Sequence, residues 1–434
     1  MITFLEIAFI TLMVGSVVFY LACALCTHQF FASTQGQINH NQNLPVAASS
    51  FDPVNIGKQE DSIYEDDSPV SPPNKPANAG FVCLAPDGVS AKCENTEDVP
   101  VSVLLSVSGI DEGAWENWSS LCTQNYQTYE VLFGVTDPQD PAVSLLKNLA
   151  ATFPNQVRLF VGLEPRGVNY KDSNLSYLLA ESQHEVIVFA DGDIRVSPDY
   201  IRIVTAPLRD AKVGVVTCTY VGHDPQYLGA ALASLGRCVD FIPSLLIARI
   251  VDGGLHLAIG VTIATRKSTL ADFGSLHLNR IGSDYNLGKR AAMAGYEVEL
   301  SPYVLEWDTG QESLKQIFMR ELRWARTIRY NRGAQYYSMV FCYGTVYSIP
   351  LLLLSGFAGW AIALSLTTFV IRYAQVLVSI FSINCPKLLR WLWVIPLRDL
   401  LSFIVWLMGA FGQRVYWRGR YLRVEGDGII SPWS

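Results

Sequence analysis

Hydrophobic residues gather near the start of the chain in a run long enough to cross a bilayer. From Ile7 to Cys26 there is no charged side chain, and about 20 apolar residues span the hydrocarbon core. A cleaved signal peptide is the alternative, but no basic segment precedes the run, and the run is longer than the usual signal core. We therefore predict that residues 1–30 are a transmembrane anchor.

The middle of the chain alternates short β-rich runs with amphipathic stretches of helical length. This alternation predicts an α/β domain over residues 99–335, with a mostly parallel sheet and crossover helices. Ligands of such sheets bind outside the carboxyl ends of the strands. The predicted strands are 101–107, 129–135, 157–161, 185–190 and 213–218, and the predicted helices include 114–124, 141–153 and 312–332.

Apolar residues dominate again in a predicted membrane-embedded region, 336–413. Residues 339–370 carry no charge, which is more than one span needs. Pro350, Gly356 and Gly359 interrupt this stretch near its middle. We therefore predict a hairpin of two crossing helices here, because proline and glycine disfavour a continuous helix.

A second apolar stretch follows, but it contains Arg398 and Asp399. A charged pair inside a spanning helix is costly. We therefore predict an interfacial segment over 386–398 and a short or re-entrant span over 400–412. The last residues, 414–434, are basic and aromatic, as is typical of a cytoplasmic tail.

The segment between the anchor and the α/β domain, residues 31–98, differs in kind. It is rich in Asn, Gln, Ser and Pro, and acidic residues cluster between 60 and 67. Few large apolar side chains are available to offset the entropy of ordering. We predict a flexible tether, with a small module around Cys83–Cys93 as the alternative.

Composition narrows the class of protein. Half of the 434 residues are hydrophobic and 16% are charged, which is low for a soluble protein of this length. The net charge of −7 argues against nucleic acid as a partner. The nine cysteines show no spacing typical of zinc sites. Cys23 and Cys26 form a C-x-x-C inside the apolar run, where packing is the expected role.

Two pairs of acidic residues follow predicted strands. Asp137 and Asp140 come after the second strand, and Asp191 and Asp193 come after the fourth with Gly192 between them. If these strands are parallel, all four carboxylates face one crevice. An ordinary exposed Asp-Gly turn is the alternative for the second pair. The position after a buried strand favours a functional role.

Carboxylate oxygens suit a hard divalent cation, Mg²⁺ or Mn²⁺. Such an ion neutralises the charge that builds up on a departing nucleoside diphosphate. We assign Asp193 to the metal and Asp191 to the ribose or the metal. Asp140 is predicted to contact the donor nucleotide, and a helix N-cap is a compatible alternative. Lys171 either binds donor phosphate or is a solvated surface lysine.

Asp284 requires a different role, because transfer to a hydroxyl needs a base. A carboxylate within hydrogen-bond reach of the acceptor hydroxyl is a suitable general base. One base opposite the leaving group favours direct displacement with inversion. The alternative is an N-cap, since Asp284 precedes a helix-like stretch at 285–295.

Arginines recur every third residue on the predicted helix 312–332. A period of three drifts around a 3.6-residue helix, so they cannot all face one ligand. We assign Arg323 and Trp324 to the active site and Arg320 to the donor, because guanidinium groups match phosphate and tryptophan offers a flat surface. Arg329 and Arg332 are predicted to face anionic lipid headgroups.

These motifs together resemble the ceramide glucosyltransferases and their bacterial relatives in hopanoid lipid biosynthesis, the family 21 glycosyltransferases. The resemblance extends from about residue 101 to the end of the chain. It implies a GT-A-type, Rossmann-like catalytic domain, with the donor contact at Asp140, the metal at Asp193, the base at Asp284 and active-site roles for Arg323 and Trp324. The matching segments are 135–142, 171–175, 190–199, 282–285, 320–324, 396–401 and 417–419.

The resemblance also implies partners: a UDP-sugar donor, a lipid acceptor and the bilayer. The expected product is a glycolipid made by an inverting hexosyltransferase. The expected location is the cytoplasmic side of a membrane, such as a bacterial inner membrane. The sequence leaves open whether the donor is UDP-glucose, UDP-galactose or UDP-N-acetylglucosamine, and whether the acceptor is ceramide, diacylglycerol or hopanoid. A processive polysaccharide synthase and a non-catalytic nucleotide- or lipid-binding membrane protein are the alternatives, and the oligomeric state stays open.

Overall fold

The computed structural model describes residues 3–42, 98–308 and 310–433. The chain divides into one unit made of Met1–Gly36 with Asp98–Ser434, and a second unit, Gln37–Glu97. The predicted tether from residue 43 onward, with the Cys83–Cys93 module, lies outside the described residues.

Helices and strands alternate along the main unit as the sequence predicts. The strands are β1 Val101–Val107, β2 Tyr129–Val135, β3 Val157–Val161, β4 Val186–Ala190, β5 Ile194–Arg195, β6 Val213–Val221, β7 Thr262–Arg266, β8 Glu297–Trp307, β9 Arg414–Trp417, β10 Arg420–Val424 and β11 Ile430–Pro432. The first helices are α1 Phe4–Gln42, α2 Ala114–Cys122, α3 Ala142–Thr152, α4 Tyr170–Glu181, α5 Tyr200–Thr205, α6 Leu228–Leu235 and α7 Ile242–Val251.

The remaining helices complete the catalytic and apolar parts of the chain. They are α8 Lys267–Asp272, α9 Ser283–Met293, α10 Leu314–Arg332, α11 Gly344–Leu354, α12 Gly359–Ser382 and α13 Ile395–Gly409. A π-helical turn, Gly236–Phe241, joins α6 to α7, and 3-10 helices occupy Ala206–Arg209, Gly333–Cys342, Pro386–Val394 and Gly426–Gly428. The first helix is longer than the predicted anchor, which ended at residue 30.

The central sheet has eight strands in the order β3-β2-β1-β4-β7-β6-β8-β5. The strands β1 to β4 are mutually parallel, as predicted, but β7 is antiparallel to both of its neighbours and β5 is antiparallel to β8. The sheet is therefore mixed rather than mostly parallel. Because β7 is reversed, its first residues lie at the same edge as the carboxyl ends of β1, β2 and β4, and β8, which is parallel to β6, ends there as well.

The strands at the centre of the sheet are apolar along their whole length because helices cover both faces. Every residue of β1 and of β4 is buried, which is the pattern of strands covered on both sides. Leu104 and Leu105 point to opposite faces and are both fully buried. This rigid centre fixes the position of the loops that follow β1 and β4.

Among the described residues, four helical stretches are long and apolar enough to cross a membrane, or up to five if a bent pair counts as one span. They are Phe4–Ser33, Leu228–Val251, Gly359–Ser382 and Pro386–Gly409, with Leu314–Cys342 plus Gly344–Leu354 as the bent pair. Leu228–Val251 is mostly buried inside the protein. Its hydrophobicity is therefore explained by packing in the core.

The first arm of the predicted hairpin is not a single long helix, because α11 is short and forms a bent pair with the helical segment before it. The chain does break where the glycines predict, between α11 and α12. However, α11 has 11 residues, which is about 16 Å of helix against a hydrocarbon core of about 30 Å. By contrast, α12 continues past the predicted end at residue 370.

The second apolar stretch also differs from the prediction. Pro386–Gly409 forms one continuous helical run, rather than an interfacial segment followed by a separate short span. Arg398 and Asp399 are both buried within it. Their charges are compensated by partners inside the protein, so a break in the helix is not needed to keep them out of lipid.

Arg329 and Arg332, which we predicted to face lipid headgroups, both have hydrogen-bond partners within the protein. Arg329 donates to the carbonyl oxygens of Ala410 and Gly412, and Arg332 donates to Asp252 over 2.7 Å. The first contact satisfies carbonyl groups left without helical partners at the end of α13.

The C-terminal residues form a small antiparallel sheet, β11-β10-β9, where the sequence predicted only a basic tail. This sheet is attached to the catalytic domain through backbone hydrogen bonds. The Ile281 amide donates to the Gly428 carbonyl over 2.8 Å, and the Ile430 amide donates to the Asn279 carbonyl over 2.9 Å. The sheet therefore lies next to the start of α9, where Asp284 is found.

Candidate active site

The Asp-Gly-Asp turn directly follows β4 and is held by two tryptophans. Trp118 on α2 donates its indole N–H to the Gly192 carbonyl over 3.0 Å. Trp307, at the end of β8, donates to Asp193 Oδ2 over 3.0 Å. A Cβ atom at residue 192 would lie 3.2 Å from the Trp118 nitrogen, so this close approach favours glycine. The turn is thus fixed from two sides at the carboxyl end of β4.

One carboxylate oxygen of Asp193 lacks a partner among the described residues. Its Oδ1 is buried without a hydrogen bond, and burial, together with the nearby Asp191 carboxylate, raises the pKa of Asp193 to about 7. A buried acceptor without a donor is costly. A divalent cation would supply the missing contact and reduce the repulsion between the two carboxylates.

This donor set fits a hard divalent cation that shares its coordination shell with a ligand. Among the residues that the structure describes, no three His, Cys, Asp or Glu side chains are arranged to hold a metal ion by themselves. Mg²⁺ in particular commonly binds through one or two carboxylates plus water and substrate phosphates. Asp191 and Asp193 therefore suit a metal that is completed by a phosphate-bearing molecule.

Lys171 is neither a solvated lysine nor a free phosphate-binding group in this structure. Its ammonium forms an ion pair with Asp191 and donates to the Gly260 carbonyl over 3.2 Å. Burial alone would lower the pKa of Lys171, but the contact with Asp191 raises it above its usual value. Lys171 is therefore charged and orients Asp191 at the edge of the sheet.

Asp284 lies in the first turn of α9 and faces the loop before β7. Its Oδ2 accepts a hydrogen bond from the Gly260 amide over 2.8 Å. Gly282, with φ of 62°, is the N-cap residue, so the alternative role of Asp284 as an N-cap is wrong. Among the described residues, the hydrogen bond recorded for Asp284 uses Oδ2, which leaves Oδ1 available to a ligand.

The helix α10 carries Arg320, Arg323 and Trp324. A capping box between Ser313 and Gln316 defines its start. The Arg320 guanidinium lies over the Trp324 ring at 5.2 Å, and that of Arg323 lies 5.8 Å from the same ring. Two atoms of Arg320, Nε and Nη2, are buried without a partner among the described residues. The arginine-tryptophan motif therefore presents unsatisfied cationic donors.

Asp140 supports the loop that follows β1. Its carboxylate accepts hydrogen bonds from the Gly109 amide at 2.9 and 3.0 Å and from the Ala142 amide at 2.9 Å. The Ala142 contact satisfies an amide at the start of α3, although the N-cap residue of this helix is Pro141 rather than Asp140. Asp140 does not line the cavity described below, whereas Ser108 and Gly109 do.

Several cavity residues were not assigned from the sequence. Asp172 is buried, accepts a hydrogen bond of 2.6 Å from the Asn169 side chain, and has a pKa that burial raises to about 7. Arg237, on the π-helical turn, lies 3.8 Å from the Trp324 ring. Trp417 and Arg418 come from the C-terminal sheet. Trp417-Arg-Gly belongs to a segment that carries the resemblance, and this was the one available signal.

These groups share one cavity of about 1240 Å³. Its polar end includes the acidic turn, Asp284 and the arginine-tryptophan motif. Its apolar end is formed by the N-terminal helix. The polar lining includes Asp111, Lys171, Asp172, Asp191, Asp193, Asp284, Arg320, Arg323 and Trp324, and the lining from α1 includes Gly15, Val18, Phe19, Tyr20 and Ala22.

Two curated relatives are ceramide glucosyltransferases of Caenorhabditis elegans. Ceramide glucosyltransferase 3 is 24% identical over 242 residues, which are 52% of this chain and 50% of that protein. Ceramide glucosyltransferase 1 is 23% identical over 230 residues, or 52% of this chain and 49% of that protein. The chain thus aligns with about half the length of the curated relatives it matches.

A solved structure with similarity to this chain is a mannosyltransferase from Pyrobaculum calidifontis in complex with GDP-Man and Mn²⁺. It has a TM-score of 0.44 and 15% sequence identity, and the match covers 72% of this chain and 88% of the mannosyltransferase.

The eight-stranded mixed sheet, with an Asp-Gly-Asp turn after β4, agrees with the GT-A-type α/β arrangement that the resemblance implies. The model of glycosyl transferase family 21 matches residues 79–430. The match includes the α/β domain, the apolar helices that follow it and nearly all of the C-terminal sheet, and the chain therefore belongs to glycosyl transferase family 21.

Proposed function

We propose that this protein is a membrane-bound inverting glycosyltransferase that moves a hexose from a UDP-sugar to the hydroxyl group of a lipid. The observation that carries the proposal is the continuous cavity, which joins Asp193 and Asp284 to an apolar wall formed by α1. A water-soluble donor and a lipid acceptor need these two environments next to each other. Family membership and the ceramide glucosyltransferase relatives support the same reaction class.

The donor binds at the polar end of the cavity. Asp193, and Asp191 beside it, would hold Mg²⁺ or Mn²⁺, which when bound neutralises charge on the diphosphate leaving group. Lys171 keeps Asp191 in place through their ion pair. Arg320 and Arg323 offer planar, forked donors to phosphate oxygens. Asp140 acts on the donor indirectly, through its hydrogen bonds to the Gly109 amide.

Asp284 is the general base. The acceptor oxygen attacks the anomeric carbon while its proton passes to the Asp284 carboxylate, and the nucleoside diphosphate leaves from the opposite side. One displacement of this kind inverts the anomeric configuration. The Gly260 amide holds Oδ2, and so Oδ1 is the oxygen that takes the proton. Trp324 packs against the acceptor.

The acceptor reaches this base from the bilayer. Val18 on α1 lines the cavity while the residue is 62% exposed, as expected of a helix that faces lipid on one side. A lipid chain along α1 places its hydroxyl group toward Asp284. The basic residues of β9 and β10 favour the cytoplasmic side for the catalytic domain.

A transfer assay on membranes that contain the full chain tests this proposal. Labelled UDP-glucose, UDP-galactose and UDP-N-acetylglucosamine are each offered with ceramide, diacylglycerol or host lipid extract, with Mn²⁺ or with EDTA. We expect label in a lipid fraction, formed only with a divalent metal, and none with Asp193→Ala. Label in a water-soluble polymer would indicate a polysaccharide synthase instead. UDP binding without transfer to any acceptor would indicate a non-catalytic binding protein.

A further inference from the structure

The C-terminal hairpin places one arginine at the polar end of the cavity. β9 and β10 pair directly, so that Arg418 and Gly419 form a two-residue turn. Both have positive φ, 47° and 77°, as in the type I′ turns that suit the twist of a hairpin. Trp417 and Arg418 both line the cavity that holds Asp191 and Asp193.

The hairpin is anchored, which makes the position of its turn well defined. Arg420 donates to the Val168 carbonyl over 3.0 Å, and its guanidinium lies 3.6 Å from the Tyr170 ring. Val415 and Leu422 are buried in a small core. The turn is therefore held against the start of α4, which also carries Lys171.

The guanidinium of Arg418 lies 5.9 Å from the ring of the adjacent Trp417 and is attracted by the carboxylates of the acidic turn. Among the described residues, the structure records no hydrogen bond or salt bridge to its guanidinium. Arg418 is solvent-exposed while it lines the cavity, and the carboxylates of Asp191, Asp172 and Asp193 attract its charge. Of these acidic groups, Asp191 is already paired with Lys171. The guanidinium is thus free to bind an anion beside the acidic turn.

Individual nitrogen atoms of two other arginines in the cavity also lack hydrogen-bond partners among the described residues, although Arg320 forms an ion pair with Glu312 through its third nitrogen. Arg237 is about nine-tenths buried, and its Nη2 atom has no hydrogen bond among the described residues. Nε and Nη2 of Arg320 are also buried without a hydrogen bond among the described residues. Arg323 lies between them and the hairpin, with its guanidinium 5.6 Å from the Trp417 ring. Unsatisfied buried donors are costly, so a ligand with several negative oxygens would stabilise this arrangement.

We propose that Arg418 binds the diphosphate of the nucleotide donor, which makes the C-terminal hairpin part of the donor site. This inference rests on the proposed function, because it takes the ligand to be a nucleoside diphosphate. A guanidinium binds phosphate through two parallel hydrogen bonds. Its charge also stabilises the diphosphate as the bond to the sugar breaks and negative charge builds up on the leaving oxygen.

Trp417 contributes by positioning Arg323. Its ring lies 5.6 Å from the guanidinium of Arg323, which belongs to α10. The hairpin therefore connects two of the cations that face the diphosphate. This segment lies more than 220 positions after Asp191 in the chain.

The test is UDP binding by the full-length protein in detergent, measured by titration calorimetry with Mn²⁺ present and again with EDTA. Arg418→Gln should weaken UDP binding about 10- to 100-fold, the usual effect of losing a hydrogen bond to a charged group. The UDP affinity of Arg418→Lys should lie between those of wild type and Arg418→Gln, because lysine keeps the charge but lacks the two parallel donors of the guanidinium. Uridine, which has no phosphate, should bind wild type and Arg418→Gln equally.

Arg423→Gln is the matched control, because Arg423 lies on β10 of the same hairpin, is exposed, and does not line the cavity. It should bind UDP as wild type does, and all variants should unfold at similar temperatures. Equal UDP binding by Arg418→Gln and wild type would overturn the inference and leave the proposed function intact. Equal losses for UDP and uridine would also overturn it, since the effect would not involve phosphate.

Two further outcomes are informative. One identifies a lipid headgroup as the source of the phosphate, and the other shows that the proposed function itself fails. If Arg418→Gln binds UDP normally but binds phosphatidic acid vesicles less tightly, the ligand is a lipid headgroup and the inference is wrong. If the wild-type protein binds no UDP under any condition, the donor assignment itself fails, and the role of Arg418 fails with it.

Discussion

Arg398 on α13 donates from Nη1 to Glu321 Oε1 on α10 over 2.6 Å, and both side chains are almost completely buried. Glu321 lies between Arg320 and Arg323 in the chain. The contact therefore connects an apolar helix to the helix that carries the arginine-tryptophan motif. It continues through Asp240, which accepts from Arg398 Nε over 3.2 Å.

The network extends further among the apolar helices. Arg372 on α12 donates to Asp240 and to Asp399, each over 2.6 Å. Thr345 donates to Asp399 over 2.6 Å. These charges are buried but paired, which explains how Arg398 and Asp399 occur within an apolar helical run. The network fixes the position of α10 relative to α12 and α13.

Breaking this network should destabilise the protein. Arg398→Met leaves Glu321 buried without its partner, and removing one member of a buried ion pair costs about 3–5 kcal/mol. The double variant with Glu321→Met should be more stable than Arg398→Met alone, because two apolar side chains replace the pair. Thermal unfolding in detergent measures both effects.

Arg423→Met is the control, since Arg423 is exposed and should unfold as wild type does. An Arg398→Met protein as stable as wild type would show that the pair does not hold α10. A double variant less stable than either single variant would contradict the view that the charges can be replaced by packing.

Stability without metal should depend on pH through Asp193. Its pKa is about 7 in the folded protein, against 3.8 as its ordinary value. Between about pH 4 and pH 7 the folded state holds a proton that the unfolded state releases, so stability falls as the pH rises through this window. Asp193→Asn removes this loss of stability at high pH, because asparagine does not ionise. In EDTA, the variant should therefore gain stability over wild type at pH 8 but not at pH 4.

Unfolding temperatures of both proteins at the two pH values test this expectation. Adding Mn²⁺ and UDP at pH 8 should stabilise wild type much more than Asp193→Asn, because a ligand that binds only the folded state raises its stability. If Asp193→Asn differs from wild type by the same amount at pH 4 and pH 8, the carboxylate does not titrate as described.

A bulky residue on α1 should obstruct the acceptor. Ala22 lines the cavity, whereas Leu21 is exposed and does not. Ala22→Trp should reduce transfer to a long-chain lipid about tenfold, equivalent to ~1.4 kcal/mol, with little change for a short-chain acceptor in micelles. Leu21→Trp should affect neither. Rates with acceptors of two chain lengths provide the measurement, and equal losses for both lengths would show that the lipid chain does not follow α1.

The parts of the site that follow one strand each could be predicted from the sequence. Asp191 and Asp193 come immediately after an apolar strand, and parallel strands end at a common edge. The start of α10 is encoded locally by Ser313 and Gln316. Lys171 was harder to assign, because a lone lysine gives no sign of its ion pair with Asp191.

The remaining features depend on contacts between distant segments. Nothing near β7 in the chain shows that this strand inserts antiparallel between β4 and β6. Glu321 and Arg398 are 77 positions apart. The sequence therefore gave no sign that Arg398 is paired, and its charge was interpreted as a break in a membrane-embedded helix. Arg418 is part of a basic segment that suggests a solvated tail until the hairpin turn places it in the cavity.

The most direct test of the proposed reaction is the rate at which wild type and Asp284→Asn transfer labelled hexose from a UDP-sugar to lipid, measured together with UDP affinity. A general base contributes about 10²- to 10⁴-fold. We predict a loss of this size in Asp284→Asn, unchanged UDP affinity, and a wild-type product whose anomeric configuration is opposite to that of the donor. Transfer at the wild-type rate by Asp284→Asn, or a product that retains the donor configuration, would contradict the account.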